Sequence, residues 1–214
     1  MEETGNIFKM LEHGFRVQEE LTEKWHVKEC DMGAEYEKIM AKHDNDLLDV
    51  IAAQHFMNYS LWHIEDTARR LDVPPEVIAD CKHKIDAFNQ KRNNLIEKID
   101  EALTGAIAPL LPQGAQEKYN TETLGMAIDR TSIIALKIYH MREQASRADA
   151  SQEHRDRCAE KLSQLTEQRE RLKRSIFDLL DDYFVGRKAI KPYFQHKMYN
   201  DRSLNPELYG AKAR

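Results

Sequence analysis

Apolar residues recur along this chain every three to four positions and almost never in alternation, so the pattern reads as helices without strands. Ile7, Leu11, Phe15, Leu21 and Trp25 form the inner face of a first helix that Thr4 or Asn6 could cap. Gly33 breaks the chain, and a long helix is predicted from about Ala34 to Leu71. Its second part repeats every seven residues through Leu47, Val50, Gln54, Met57, Leu61, Ile64, Ala68 and Leu71. Asp72-Val-Pro-Pro ends it, because the second proline cannot sit inside a continuing helix and restrains its predecessor. Pro75 then suits the first turn of a new helix reaching about Leu103, with Ile85, Phe88, Leu95, Ile96, Ile99 and Leu103 inward.

Gly105, Pro109, Pro112 and Gly114 make residues 104–120 the densest run of breakers, read as the connection between two helical halves. Thr121 is the expected cap of a helix running to about Ala148, and a turn at Ala150-Ser151 leads into another from Gln152 to Phe184. The seam of Leu162, Leu165, Leu172, Ile176, Leu179 and Tyr183 suits antiparallel packing on the preceding helix. Arg169 interrupts that seam and is expected to snorkel at an edge. The expectation is an all-α multi-helix bundle forming one domain over residues 1–185, with residues 186–214 as a separate C-terminal segment packed on it.

Composition agrees: 8 Gly and 6 Pro leave few breaks in 214 residues. No stretch approaches the roughly 18 consecutive apolar residues of a membrane span, and no secretory leader opens the chain. Cys30, Cys81 and Cys158 are odd in number and far apart, which suits packing thiols in a reducing cytoplasm. The net charge of −5 is uneven. Residues 186–214 hold seven Lys/Arg against two Asp/Glu, a local +5 that leaves −10 on residues 1–185. Tyr193, Phe194, Tyr199 and Tyr209 are interleaved with that basic charge. Such a segment is either an anion-binding arm or a tail docked on the acidic body, and charge complementarity favours docking. The acidic body argues against nucleic acid as a partner.

Polar residues depart from the helical pattern in three places. Beside the Leu61–Ile64 core stripe, Asn58, Trp62, Glu65 and Arg69 fall roughly 40–100° from the apolar centre, while Tyr59, His63, Asp66 and Arg70 lie opposite. On the next helix Arg92 sits near the middle of the apolar arc, where an isolated guanidinium would need carboxylates from neighbouring helices. Asp86, Asn89, Asn93 and Asp100 line a shoulder of that arc. On the third, Glu122, Met126, Asp129, Arg130, Ile133, Lys137 and His140 share a face of a helix that is apolar almost all round. A structural ion-pair network would account for these residues. Local rules failing on three helices favour a site.

The same residues carry a resemblance. Leu61-Trp-His-Ile-Glu-Asp66, Ile85-Asp-Ala-Phe-Asn-Gln-Lys-Arg-Asn93, Thr121-Glu-Thr-Leu-Gly125 with Ile128-Asp-Arg130, and Lys197-Met-Tyr-Asn-Asp201 stand in the order of domain-of-unknown-function family 4254. The chain resembles that family of bacterial proteins from about His43 to Tyr209. It departs at Leu124, where the family pattern has proline before the glycine. The resemblance implies Trp62, Glu65, Asp66, Asn89, Arg92, Asn93, Glu122, Asp129, Arg130 and Lys137 as signature positions. It implies no particular activity.

Among known chemistries, a ferritin-like di-metal site needs two Glu-x-x-His pairs, and only Glu23-x-x-His26 is present. A His…His-Asp…Asp phosphohydrolase could be drawn only from His26, His43, Asp44 and a later Asp. The paired acidic motifs of all-α nucleotide pyrophosphohydrolases are represented by Glu97-x-x-Asp100 alone. What remains is a helical pocket for an anionic, phosphorylated or carboxylated metabolite, such as a nucleotide or sugar nucleotide. Arg69, Arg92, Arg130 and Lys137 would donate to the anion, Asn89 and Asn93 would orient it, and Trp62 would stack. Glu65, Asp66 and Asp129 are the acid/base candidates. Glu65, Asp66, Glu122 and Asp129 are the candidates to hold Mg²⁺, although a mutase of the chorismate type uses a similar inventory without metal. The alternative is a non-enzymatic scaffold, a homodimer whose polar network fixes packing.

Overall fold

Side-chain caps and prolines define where the helices begin. In the computed structural model, which describes residues 2–27, 31–42, 46–196, 198 and 201–209, the regular elements are seven α-helices and one 3₁₀ turn, with no strand among the described residues. Cys30, His43, Asp44, Lys197, Tyr199 and Asn200, singled out above, lie outside them. The helices are α1 (Glu2–Val27), α2 (Met32–Met40), α3 (Leu47–Ala68), α4 (Pro75–Ile107), α5 (Leu124–Ser146), α6 (Gln152–Phe184) and α7 (Pro206–Tyr209). The Asp46 carboxylate accepts from Asp49 N at 2.8 Å, Thr123 Oγ1 from Met126 N at 3.2 Å, and Ser151 Oγ from His154 N at 3.2 Å. Each satisfies one of the amides that a helix start leaves open.

Several boundaries differ from expectation. Helix α1 already includes Thr4 and Asn6, Gly33 lies inside α2, and α4 continues through Gly105 to Ile107 instead of ending near Leu103. The predicted Ala34–Leu71 helix is two helices, because extended backbone at Asp46 lets its carboxylate cap α3. Helix α3 then stops at Ala68, which leaves Leu71 fully exposed rather than in the seam. The cap of α5 is Thr123 in place of Thr121. Leu124 thus occupies the first helical position, where the ring of a proline would also fit, so its departure from the family pattern leaves the helix start intact. Pro75, by contrast, occupies the first turn of α4 as predicted.

Helices α3 and α4 form one hairpin and α5 and α6 a second, joined by the 3₁₀ turn Ala108–Leu110 and an extended stretch. Helix α1 lies across α3 and α5, and α4 also touches α5. Leu11, Phe15, Ile51, Phe56, Met57, Ile99, Leu103, Ile128 and Leu136 fill the centre. At the crossing of α4 and α5 the backbones come very close. A methyl at Gly125 would lie 2.6 Å from the Ile96 carbonyl oxygen, and Gly125 N donates to Asp100 Oδ1 at 2.6 Å. The shoulder residue Asp100 is therefore a cap on α5. Helix α6 ends at Phe184, and Gly186 just beyond it has a φ of +73°, which suits glycine after a helix C-terminus. Beyond it the chain runs back over residues 116–120: Ala189 N donates to Lys118 O at 2.9 Å and Tyr193 Oη to Asn120 O at 2.8 Å.

Candidate functional site

Helix α3 is buried on nearly every side between residues 50 and 61, so its polar side chains must find partners inside the protein. Gln54 Nε2 and Asn58 Nδ2 both donate to Asp129 Oδ1 on α5, the latter at 2.8 Å. Asn58 Nδ2 also reaches Ser132 Oγ at 2.9 Å, and Ser132 Oγ lies 2.7 Å from His55 Nδ1. On the other side of the ring, His55 Nε2 lies 2.9 Å from Thr22 Oγ1, whose hydroxyl donates to Gln18 O at 2.7 Å. Because the Thr22 proton is committed, Nε2 must carry the imidazole proton and Nδ1 must accept from Ser132. Full burial and the nearby Arg169 push the His55 pKa down to about 3, so this ring is neutral.

Arg169 corrects an expectation. Instead of snorkelling it is 2 % exposed, donating to Phe15 O at 2.9 Å, Gln18 Oε1 at 3.4 Å and Thr131 O at 3.4 Å, and pairing with Glu19. The pairing explains how a guanidinium tolerates that position, although desolvation still lowers its pKa.

Above this polar layer lies a cavity of about 470 Å³ between α3, α4 and α5. Asn58, Leu61, Trp62, Glu65, Asp66 and Arg69 come from α3, Asn89 and Arg92 from α4, and Ile133 and Leu136 from α5. Asp129 stands behind Asn58. Burial raises its pKa above the usual carboxylate value, against the pull of Arg92 and the Asn58 amide. Arg92 is loosely held: Nε is 4.0 Å from Asp129 Oδ1, and Nη1 reaches Asn58 Oδ1 only at 3.5 Å. Its Nε is buried with no hydrogen-bond partner among the described residues. Its side chain keeps 26 % of its exposure, and the guanidinium borders the cavity. At the rim, Arg69 pairs with Glu65 at 3.0 Å. Trp62 stacks on His140, with ring centroids 4.6 Å apart.

The family model described as "Protein of unknown function (DUF4254)" matches residues 48–192, about two thirds of the chain. The chain belongs to the DUF4254 family. No curated protein and no solved structure matches it. The matched DUF4254 span covers α3 to α6 and ends before the Lys197–Asp201 motif.

Of the residues singled out from the sequence, Trp62, Glu65, Asp66, Arg69, Asn89 and Arg92 line the one cavity, and Asp129 backs it through Asn58 and Arg92. Four others lie elsewhere in this DUF4254 chain. Glu122 and Arg130 pair with each other at 2.6 Å on the surface. Lys137 lines a neighbouring cavity with Trp62, His140 and Lys161. Asn93 faces the C-terminal segment, accepting from Gln195 Nε2 at 3.4 Å. The Mg²⁺ candidates therefore do not all meet: Glu65 and Asp66 share the rim, and Glu122 is apart. Gln18, Gln54, His55, Thr131 and Ser132 escaped the sequence reading. Gln54 stood in a predicted core seam, and a polar residue in that position was the available signal.

Proposed function

We propose that the protein binds a small phosphorylated or carboxylated metabolite in the α3/α4/α5 cavity, with Arg92 as its principal anion donor. The observation that supports this reading is the guanidinium itself. It borders the cavity with a buried Nε that no described residue satisfies, and its nearest carboxylate is 4.0 Å away. An unsatisfied buried donor is costly, and a ligand oxyanion would remove that cost. Asn58 and Arg69 would add hydrogen bonds, and the Trp62 ring at the wall favours ligands with a flat group, such as nucleotides and sugar nucleotides. Glu65 and Asp66 stand where they could share a Mg²⁺ with a bound phosphate. Asp129 is the group whose proton affinity burial has raised, which suits acid/base work.

A thermal-shift screen of nucleotides, sugar phosphates and short carboxylates tests the reading. At least one should raise Tm in a concentration-dependent way, and Arg92→Ala should abolish that shift while the variant stays folded. A screen without hits, together with a stable dimer in sedimentation, would replace the binding reading with that of a scaffold. A shift retained in Arg92→Ala would remove this cavity as the site.

A further inference from the structure

Three histidines that no sequence motif joins meet on the α1, α3 and α5 side of the bundle. His26 closes α1, His63 sits on the face of α3 away from the core stripe, and His140 lies in the second half of α5. One ring nitrogen from each lies within 4.8 Å of the other two, and no other such trio of His, Cys, Asp or Glu occurs among the described residues. His26 Nδ1 is 2.7 Å from the Thr22 carbonyl oxygen, which can only accept, so that nitrogen carries the proton. His140 Nδ1 is 2.8 Å from Glu143 Oε2 and is protonated for the same reason. In the neutral rings this leaves bare lone pairs on both Nε2 atoms. The Nε2 atoms of His26, His63 and His140 are all buried, and none has a hydrogen-bond partner among the described residues.

Buried nitrogen atoms gathered without hydrogen-bond partners are costly, an arrangement with a clear electrostatic remedy. We propose that His26, His63 and His140 bind one transition-metal dication of the zinc class through their Nε2 atoms, leaving a fourth position for water. All-imidazole ligation selects this class over Mg²⁺ or Ca²⁺, which take oxygen. Zn–N bonds of about 2.0–2.1 Å place tetrahedral ligands about 3.4 Å apart, so modest ring rotations close the site. The surroundings suit that role. Glu143 on His140 and the Thr22 carbonyl on His26 are the outer partners that fix tautomer and ring orientation at histidine-ligated metals. Tyr139 stacks on His26 at 4.0 Å and Trp62 on His140 at 4.6 Å, which restrains both rings. The proposal stands independently of the cavity reading.

The test is a titration of the chelator-treated, untagged full chain with Zn²⁺ by calorimetry and with Co²⁺ by visible absorption. One equivalent per chain and the d–d bands of tetrahedral Co²⁺ are expected. His63→Gln and His140→Gln should abolish both. Glu143→Gln, a surface change, should keep the fold and weaken affinity about 10–100-fold. Failure of the wild-type chain to take up a stoichiometric metal would overturn the proposal. So would uptake that Glu143→Gln and His140→Gln leave unchanged, since the metal would then sit on other side chains.

Discussion

Asp129 holds a carboxylate where water is largely excluded, and its neighbours decide what that does. Its oxygen accepts from Gln54 and Asn58 and faces Arg92. Because burial raises its folded pKa above 3.8, the folded state binds the proton more tightly than the unfolded chain. The destabilisation this group brings is absent at acid pH and develops as pH rises from the ordinary carboxylate value through the folded pKa. Asp129→Asn removes that penalty while its amide oxygen can still accept. The variant should gain stability relative to the wild type as pH rises through this window, as read by urea unfolding at a series of pH values. It should also weaken ligand-induced thermal shifts by about tenfold or more, because Arg92 loses the charge that aims it. Arg169→Ala should act oppositely, losing about 1–3 kcal/mol as Phe15 O, Thr131 O and Gln18 Oε1 each lose a donor in the interior, while the half-exposed Glu19 turns to water.

At the scale of elements, Gly125 is the tightest constraint. Gly125→Ala would place a methyl against the Ile96 carbonyl oxygen and Asp100, which are backbone and a buried carboxylate and cannot give way cheaply. A loss of about 1–3 kcal/mol in chemical denaturation is expected. Thr123→Ala, which removes the cap bond to Met126 N and the hydroxyl beside Asp100, should lose about 1 kcal/mol or somewhat more. Local signals of this kind made most helix ends legible: prolines at 74–75 and Ser151 act within one turn, and α6 runs from Gln152 to Phe184 as predicted. The break before α3 was half legible: Asp44-Asn-Asp46 reads as a helix break by its capping residues, but with no proline or glycine there the apolar periodicity carried one helix through it. The cavity was partly legible, since Glu65 and Arg69, or Asn89 and Arg92, lie three or four residues apart and share a helix face. The α5 stripe misled by its length. From Glu122 to His140 a helix would advance about 27 Å, too far for one pocket. Gln18 to Ile128, 110 residues apart, and the three histidines become neighbours only through packing.

Across the whole molecule, the neutral His55 ties stability to pH. Its pKa is about 3 when folded and 6.5 in the reference state, so the unfolded chain binds a proton that the folded one refuses. Its contribution is fully present above about pH 6.5 and is lost as pH falls towards 3, on the order of 5 kcal/mol at about 1.4 kcal/mol per unit. Acid unfolding monitored by circular dichroism should show this limb, and His55→Gln should flatten it. No described helix is long and apolar enough to cross a membrane. Helix α3 is covered by its neighbours on nearly every side. For α3 this raises a problem of direction. A rod wrapped in hydrocarbon on all sides can spin about its axis with little change in the area it hides. Gln54, His55 and Asn58 break that rotational degeneracy, because a turn of one residue would strand every polar atom that now has a mate on α1 or α5. Their amide and imidazole groups act as the teeth of a key, and the angle at which they engage also sets which way Trp62 and Glu65 point.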